Sequence, residues 1–152
     1  MSWWLVKTEP DVYSIDHFQS DKITCWNHVR NYQARNNLQA MVRGDLVLIY
    51  HSNASPSAIV GLASVNKIAY PDPSQFDKKS DYYDPKASLE KPRWYSPDLK
   101  FVKKFARQLD LQTIKKTKEL SSMSLVKGGS RLSVQLVAED EYKTILKLVG
   151  ER

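Results

Sequence analysis

The chain has 152 residues, of which 41% are hydrophobic and 26% charged, and its formal net charge is +6. This length predicts a single domain over residues 1–152 that buries a core without metal or disulfide support, and the composition excludes wholesale disorder. No apolar run approaches the roughly 18 residues of a membrane-spanning helix and no signal peptide opens the sequence, so we expect no membrane partner and a cytoplasmic location.

The first third of the chain predicts a strand followed by two helices. Residues 3–6 are apolar and predict a buried strand. Ser14 is a suitable N-cap for a short helix, because its hydroxyl can accept from the amides of the first turn. Residues 30–41 are rich in helix formers with apolar residues on one face, which predicts a second helix. Gly44 is expected to end it.

The middle of the chain predicts a hairpin and a long connection. The apolar run in 45–50 is typical of a fully buried strand, and 58–68 predicts a second strand antiparallel to it. Gly61 indicates a bulge or a close approach of another backbone. Residues 70–88 contain three prolines and no periodicity, and so long a connection is usually functional or mobile.

The last third predicts two strands and two helices. Residues 92–105 predict a bent edge strand, because prolines at 92 and 97 cannot donate to a central ladder. Residues 109–120 predict a helix, 132–137 a strand and 139–149 a closing helix. Strands outnumber helices along the whole chain, which indicates an α+β fold.

Basic residues are concentrated in one segment. Residues 1–55 carry five basic and five acidic side chains, whereas residues 91–118 carry nine basic and two acidic. Such a patch is typical of a phosphate-binding surface, and a solvated basic face without a partner is the alternative. If nucleic acid is the partner, the expected phosphate contacts are Lys100, Lys103, Lys104 and Arg107.

Aromatic side chains stand beside polar ones at three places. These are Trp26 with Asn27, Tyr50 with His51 and Ser52, and Trp94 with Arg93. Aromatic faces flanked by amides and hydroxyls can stack on a nucleobase and read its hydrogen-bonding edge, although aromatic residues also fill cores. Both interpretations stay open for each residue taken alone.

Arg30, Asn31 and Arg35 cluster at the start of the second predicted helix. Amide donors and positive charge at a helix N-terminus favour an anion, so this cluster suits a phosphate or a carbonyl edge. A solvated helix end is the alternative.

Candidates for catalysis are few. Cys25 is the single cysteine, which is typical of a protein of the reducing cytosol, and with His28 it has the spacing of half a zinc site. No second pair completes four ligands, so we predict no metal. No set of acid, base and nucleophile emerges, and the glycines form no phosphate-loop or dinucleotide motif, so we predict no catalytic residue and no cofactor.

Several ordered blocks resemble a known family. They are Trp4-Leu5-Val6-Lys7-Thr8-Glu9-Pro10, the stretch 26–38 that begins Trp26-Asn27-His28, Gly44-Asp45, Tyr50-His51-Ser52 and the late block 130–135. In this order they resemble the EVE-domain family over nearly the full chain.

This resemblance implies a PUA-like fold, a curved mixed β-barrel with short flanking helices, related to the ASCH and YTH domains. It implies a pocket that reads a modified cytosine in DNA, as YTH relatives hold a methylated adenine. Pocket roles are thereby carried to Lys7, Thr8, Trp26, Asn31, Tyr50 and Ser52. The family commonly has glycine where this chain has His28, and a side chain there would narrow the pocket or add a donor.

Residues and resemblance together predict a binding module for nucleic acid, DNA rather than RNA, and not an enzyme. In this hypothesis Trp26 stacks on the base, Asn31 and Ser52 read its polar edges, and basic side chains including Arg30 and Arg35 hold phosphates. His51 and Trp94 are the other expected ligand contacts. The alternatives are an RNA-binding PUA-like module, a small enzyme acting through Cys25 or His51 on a modified base or nucleotide, and an interaction domain that docks a protein.

Overall fold

The computed structural model describes residues 1–127 and 131–151. Within them the strands are β1 (Trp3–Thr8), β2 (Ile23–Cys25), β3 (Leu46–His51), β4 (Ala58–Pro71), β5 (Tyr95–Asp110) and β6 (Val134–Val137). The helices are α1 (Ile15–Asp21), α2 (Tyr32–Ala40), α3 (Leu111–Lys116) and α4 (Glu139–Leu148), with short 3₁₀ helices at Pro73–Phe76 and Lys118–Leu120.

One mixed sheet holds these strands in the order β2-β5-β4-β3-β1-β6. β1 pairs parallel to β3, and the other pairs are antiparallel. The predicted hairpin over 45–68 is confirmed, because β3 and β4 pair antiparallel at the middle of the sheet. The predicted α+β class, with a mixed sheet and short helices, is also confirmed.

Both faces of the sheet are buried, which explains the continuous apolar runs. Successive side chains of a strand point to opposite faces. In β3, Val47 and Ile49 therefore join one core, which also holds Trp26, whereas Leu48 and Tyr50 join a second core that α4 covers. A strand buried on both faces reads as an unbroken hydrophobic segment.

Gly61 lies where α1 and β5 both approach β4. A side-chain carbon there would lie 2.6 Å from Ile15 Cδ1 and 2.7 Å from the carbonyl oxygen of Lys103. The register between β4 and β5 also shifts between Ile59 and Gly61. Both the predicted close approach and the predicted bulge are therefore confirmed, and a larger residue would clash with the backbone of β5 as well as with the Ile15 side chain.

The Ser14 cap is confirmed, since its hydroxyl accepts from the His17 amide at 3.2 Å and His17 Nδ1 accepts from the Ser14 amide at 2.9 Å. α2 begins at Tyr32 rather than at position 30, because Asn31 is its N-cap: the side-chain oxygen accepts from the Ala34 amide at 2.9 Å. The helix ends at Ala40, before Gly44, whose φ of +94° suits glycine.

The edge position predicted for 92–105 is wrong. β5 lies between β2 and β4, and the Pro97 carbonyl is used by the Trp26 amide at 2.9 Å. Several register shifts between β4 and β5 interrupt the ladder and let a proline-containing strand occupy an interior position. The helix predicted over 109–120 is shorter, because Asp110 ends β5 and caps α3 through the Thr113 amide.

Candidate nucleic-acid interface

A cavity of about 450 Å³ opens beside the end of β1. The segment from the end of β2 to the start of α2 supplies half of its wall, and Tyr82 reaches it from the long connection after β4. Its lining residues are Lys7, Thr8, Glu9, Val12, Tyr13, Thr24, Cys25, Trp26, Asn27, His28, Val29, Arg30, Tyr82 and Ser133.

Trp26 belongs to both the cavity and the core. Only 7% of it is exposed, and its amide donates to the Pro97 carbonyl at 2.9 Å. Its ring lies 6.2 Å from that of Tyr13 in an edge-to-face arrangement and 6.1 Å from that of Phe18. These contacts fix the orientation of the indole, so that it forms a rigid part of the cavity wall.

Lys7 brings a cation into the cavity. Lys7 lies near the end of β1, and its backbone amide donates to the Ser133 carbonyl at 2.9 Å. Burial lowers the pKa of the Lys7 ammonium from its ordinary value. Within residues 1–127 and 131–151, no carboxylate forms an ion pair with it. Glu9 lines the same cavity, but an ammonium that none of the described carboxylates pairs with keeps three donors for an acceptor on a ligand.

The ion pair between Arg30 and Asp72 holds the long connection against the cavity wall. Asp72 is 1% exposed and accepts from Arg30 at 3.0 Å, while Arg30 also donates to the Ser74 hydroxyl at 3.0 Å and the Tyr82 carbonyl at 2.8 Å. Burial acts to raise the pKa of Asp72, but hydrogen bonds from Ser74, His28 and Arg30 outweigh it and lower the pKa. Arg30 therefore uses much of its donor capacity within the chain.

His28 and Tyr82 form a stacked pair at the same wall. Their ring centroids lie 3.9 Å apart, and the planes are within 6° of parallel. His28 has a φ of +69°, and its amide donates to Asp72 at 2.8 Å. Burial lowers the pKa of the His28 imidazole. The charge of Asp72 acts to raise this pKa, and the charge of Arg30 acts to lower it.

The basic residues predicted to contact phosphate lie along β5 and are exposed. Two of the four are paired: Lys103 with Glu151 at 2.6 Å and Lys104 with Asp16 at 2.7 Å. Lys100 and Arg107 form no ion pair with any residue that the structure describes. These two cations are thus the ones whose charge is least compensated on this strand.

The EVE domain family matches residues 2–148, which is nearly the whole chain. The chain belongs to the EVE-domain family. Human thymocyte nuclear protein 1 is 43% identical over 93 residues, and this match covers 54% of the chain but 41% of that relative. The chain thus aligns with well under two thirds of the curated relatives' length. The name of these relatives refers to the nucleus. The cytoplasmic location expected from the sequence of this EVE domain stays a prediction.

Solved structures resemble this EVE domain along its whole length. A protein from Pseudomonas syringae is 42% identical with a TM-score of 0.94, covering 97% of this chain and 99% of that one. The human THYN1 protein, in a crystal structure with DNA containing 5-methylcytosine, is 34% identical with a TM-score of 0.93 and covers 100% and 99%. An ASCH protein from Zymomonas mobilis, 9% identical with a TM-score of 0.55, shares the fold alone. The predicted PUA-like fold is confirmed.

Four of the ten ligand-binding residues predicted from sequence line the cavity of this EVE domain: Lys7, Thr8, Trp26 and Arg30. Tyr50 does not, because it lies in the second core on the other side of the sheet. His51 Nε2 accepts from the Ile15 amide at 3.0 Å, and the Ser52 amide donates to the Thr8 carbonyl at 3.0 Å. These two residues hold α1 and β1 in place without lining the cavity.

The other three predicted residues lie around α2. Asn31 caps that helix and lines a separate cavity of about 350 Å³. Arg35 donates to the Arg93 carbonyl at 2.9 Å. Trp94 is buried, and its indole N–H donates to Asp84 at 2.8 Å. None of the three lines the larger cavity, because each makes contacts that hold the long connection or the helix.

Sequence reasoning missed Tyr13, Tyr82 and the buried Asp72. The one signal for Tyr82 is the length of the connection at 70–88, since long connections without periodicity are often functional. No pattern in the sequence predicts that Asp72 is buried, because its partners Arg30 and His28 are more than forty residues away.

Replacing Cys25 with serine is expected to change ligand affinity by no more than a few fold. Cys25 Sγ donates to Ser96 Oγ at 3.3 Å, and a serine hydroxyl can make the same contact. The two residues suggested for catalysis, Cys25 and His51, each have a different hydrogen-bond partner. A folded Cys25→Ser protein that has lost all binding in a titration would support the enzyme hypothesis instead.

Neutralising Lys100 and Arg107 together is expected to flatten the salt dependence of DNA binding. Each phosphate contact contributes about 0.9 to the slope of log affinity against log salt, so two contacts contribute about 2. The seven residue steps from Lys100 to Arg107 span about 23 Å of extended strand, enough for separate phosphates. Slopes measured for wild type and for the Lys100→Gln, Arg107→Gln variant check this, and equal slopes would make β5 a merely solvated face.

Proposed function

We propose that this chain binds DNA and takes a modified cytosine of the 5-methylcytosine class into the cavity between β1 and the loop before α2. The observation that carries the proposal is that one cavity is lined by a buried indole and by a lysine with no carboxylate partner among the residues the structure describes. The resemblance to the human THYN1 protein, described in complex with 5-methylcytosine-containing DNA, supports the choice of ligand.

The cavity has the dimensions and chemistry of a small-molecule site. Such sites enclose about 300–1,000 Å³ and combine apolar or aromatic walls with a few polar groups, and this one measures about 450 Å³. Trp26 and Tyr13 supply the aromatic part. Thr8, Thr24 and Asn27 supply hydroxyls and an amide at the same wall. A single base is a ligand that uses both kinds of surface.

Lys7 has the role of a donor to the captured nucleotide in this proposal. An ammonium donates three hydrogen bonds and accepts none, so it meets the carbonyl oxygen of a base or a phosphate oxygen. Its lowered pKa results from burial, and an acceptor on the ligand would offset part of that cost. Asn27 has both donor and acceptor atoms and complements the amine edge of cytosine.

Binding without turnover is part of the proposal. General acid–base or nucleophilic chemistry needs two reactive groups in hydrogen-bond reach of each other and of the ligand. Cys25 lines the cavity, but its thiol donates a hydrogen bond to the Ser96 hydroxyl. His51 accepts a hydrogen bond from the Ile15 amide. Incubation with modified DNA should return the base unchanged by mass spectrometry, and conversion of the base would overturn this part of the proposal.

The test is to compare the Kd for labelled duplexes that differ at one position, cytosine or 5-methylcytosine, by fluorescence anisotropy at fixed salt. Burying one extra methyl contributes about 0.8 kcal/mol, so we expect a preference of at least about fourfold for 5-methylcytosine. RNA with the same modified base is the third arm. Equal affinity for the two DNA duplexes, or stronger binding to the RNA, would contradict the proposal.

The substitution Lys7→Met tests, by the same titration, whether the ligand binds in this cavity. Methionine keeps the length and apolar stem of the side chain but removes the charge, so binding should weaken roughly tenfold, the value of one hydrogen bond to a charged group. Lys143→Met is the matched control, because Lys143 is exposed on α4, which covers the second core. Equal effects of the two substitutions would mean that Lys7 acts only through net charge.

A further inference from the structure

The stacked rings of His28 and Tyr82 stand at the mouth of the cavity. Both residues line it, and both are exposed to solvent, Tyr82 by 39%. Trp26, by contrast, is 7% exposed. The cavity therefore has one aromatic wall at depth and a second aromatic surface where it opens, and a base that contacts Trp26 leaves the outer rings near the rest of the DNA.

The backbone holds this pair in position, while the rings make no hydrogen bond to any residue within 1–127 and 131–151. The His28 amide donates to Asp72, and the Tyr82 carbonyl accepts from Arg30, so both residues are fixed to the same ion pair. The Arg30 guanidinium carbon lies 5.5 Å from the Tyr82 ring centroid. Among the described residues, neither the imidazole nitrogens of His28 nor the hydroxyl of Tyr82 has a hydrogen-bond partner.

His28 adopts a backbone conformation that favours glycine. A residue with a β-carbon is strained at a φ of +69°, where glycine is not. The ring does not fill the core, because it is exposed. Its main contact is the face of Tyr82, at 3.9 Å. Two rings preassembled at an opening form a flat aromatic surface that is available to another flat group.

We propose that the stacked His28–Tyr82 pair is a second base-binding position, which stacks on the nucleobase next to the captured one. This inference rests on the proposed function. A base that leaves the duplex exposes the faces of its neighbours, and this loss of stacking opposes capture. An aromatic surface at the mouth replaces the lost contact, since every base has a face that stacks on an aromatic ring.

The experiment combines protein variants with missing bases. Duplexes carry 5-methylcytosine with intact neighbours, or with an abasic site in place of the 5′ or the 3′ neighbour. His28→Gly removes one ring and relieves the positive-φ strain, so this variant should fold, and Tyr82→Ala removes the other while keeping the carbonyl that Arg30 uses. Tyr83→Ala, at the next position of the same connection, is the matched control, because Tyr83 does not line the cavity.

On intact duplexes His28→Gly and Tyr82→Ala should each weaken binding about five- to tenfold, with the preference for 5-methylcytosine over cytosine kept. With one of the two neighbours missing, the same variants should bind as well as wild type, because the partner of the rings is gone. Tyr83→Ala should match wild type on every duplex. Thermal unfolding checks that each variant is folded.

Variant effects of equal size on intact and both abasic duplexes would overturn the inference, because the rings would then contact the captured base or nothing. Unchanged binding of both variants to intact DNA would overturn it as well. A wild-type protein without any preference for the modified base is a different result. It would reject the proposed function and this inference with it.

Discussion

Trp26→Ala is expected to lower the free energy of unfolding by about 3–5 kcal/mol, the usual cost of removing a large aromatic side chain from a core. The indole is 7% exposed and packs against Tyr13 and Phe18. Domains are stable by only about 5–15 kcal/mol, so this variant would be close to unfolding. Urea denaturation measures the loss, and a change below about 1 kcal/mol would mean that the indole contributes little to the core.

Trp26→Phe separates the two roles of this residue. Phenylalanine keeps a ring against Phe18 but offers a smaller face to a ligand, so most of the stability should remain while the preference for 5-methylcytosine falls. One aromatic face contributes about 1–3 kcal/mol to base stacking, which sets the scale of the loss. Weak binding that depends on salt should persist, because phosphate contacts are independent of the base.

The matched control for this substitution is Trp3→Phe. Trp3 lies on β1, and its ring packs at 5.9 Å from Tyr142 beside the second core, away from the cavity. Anisotropy titrations of wild type and both variants with cytosine and 5-methylcytosine duplexes give the comparison. If folded Trp26→Phe keeps the full preference, Trp26 serves only the core and the captured base does not stack on it.

Asp72→Ala should be the most destabilising change outside the core, at about 3–5 kcal/mol. The substitution leaves the Arg30 guanidinium, 21% exposed, without its carboxylate, and the His28 amide without its acceptor. Asp72→Asn preserves the shape and should cost less. Asp81→Asn, an exposed acid of the same connection, is the control and should change stability by no more than about 0.5 kcal/mol.

The pH dependence of stability tests the same carboxylate. The pKa of Asp72 in the folded protein is lowered from its ordinary value of 3.8, so the folded state favours the ionised form. This contribution is complete above the ordinary pKa and is lost as pH falls through the lowered folded pKa. The difference in unfolding free energy between wild type and Asp72→Asn should therefore shrink below pH 3.8. A difference that grows there would contradict a stabilising ion pair between Asp72 and Arg30.

Local features of the fold could be predicted because their causes are local. Ser14 and the apolar run in 45–50 act on neighbouring residues, and the structure has the cap and the buried strand where these signals lie. The interior position of β5 could not be predicted, because the bulges that accommodate Pro97 depend on the register with β4. The sequence shows that a proline interrupts the hydrogen-bond ladder, but it does not show which bulge accommodates the proline.

Part of the site could be predicted, because some of its residues lie in the sequence blocks that resemble the EVE-domain family. Lys7, Thr8 and Trp26 were expected at a pocket and line the cavity, whereas Tyr50 was expected there and lies on the other face. A neighbouring position on a strand points to the opposite side, and the resemblance alone did not fix that orientation. Tyr82 reaches the cavity through contacts between distant segments, the hydrogen bond from Arg30 and the stacking on His28, which sequence does not show.

The most direct test of base capture in this cavity is a crystal structure of this chain with a duplex that carries one 5-methylcytosine. We expect the modified base to be rotated out of the duplex and to lie in the cavity with its face against the Trp26 indole. Lys7 Nζ should lie within hydrogen-bond distance of an acceptor on the nucleotide. A structure in which the modified base stays stacked in the duplex, or lies anywhere other than this cavity, would contradict this expectation.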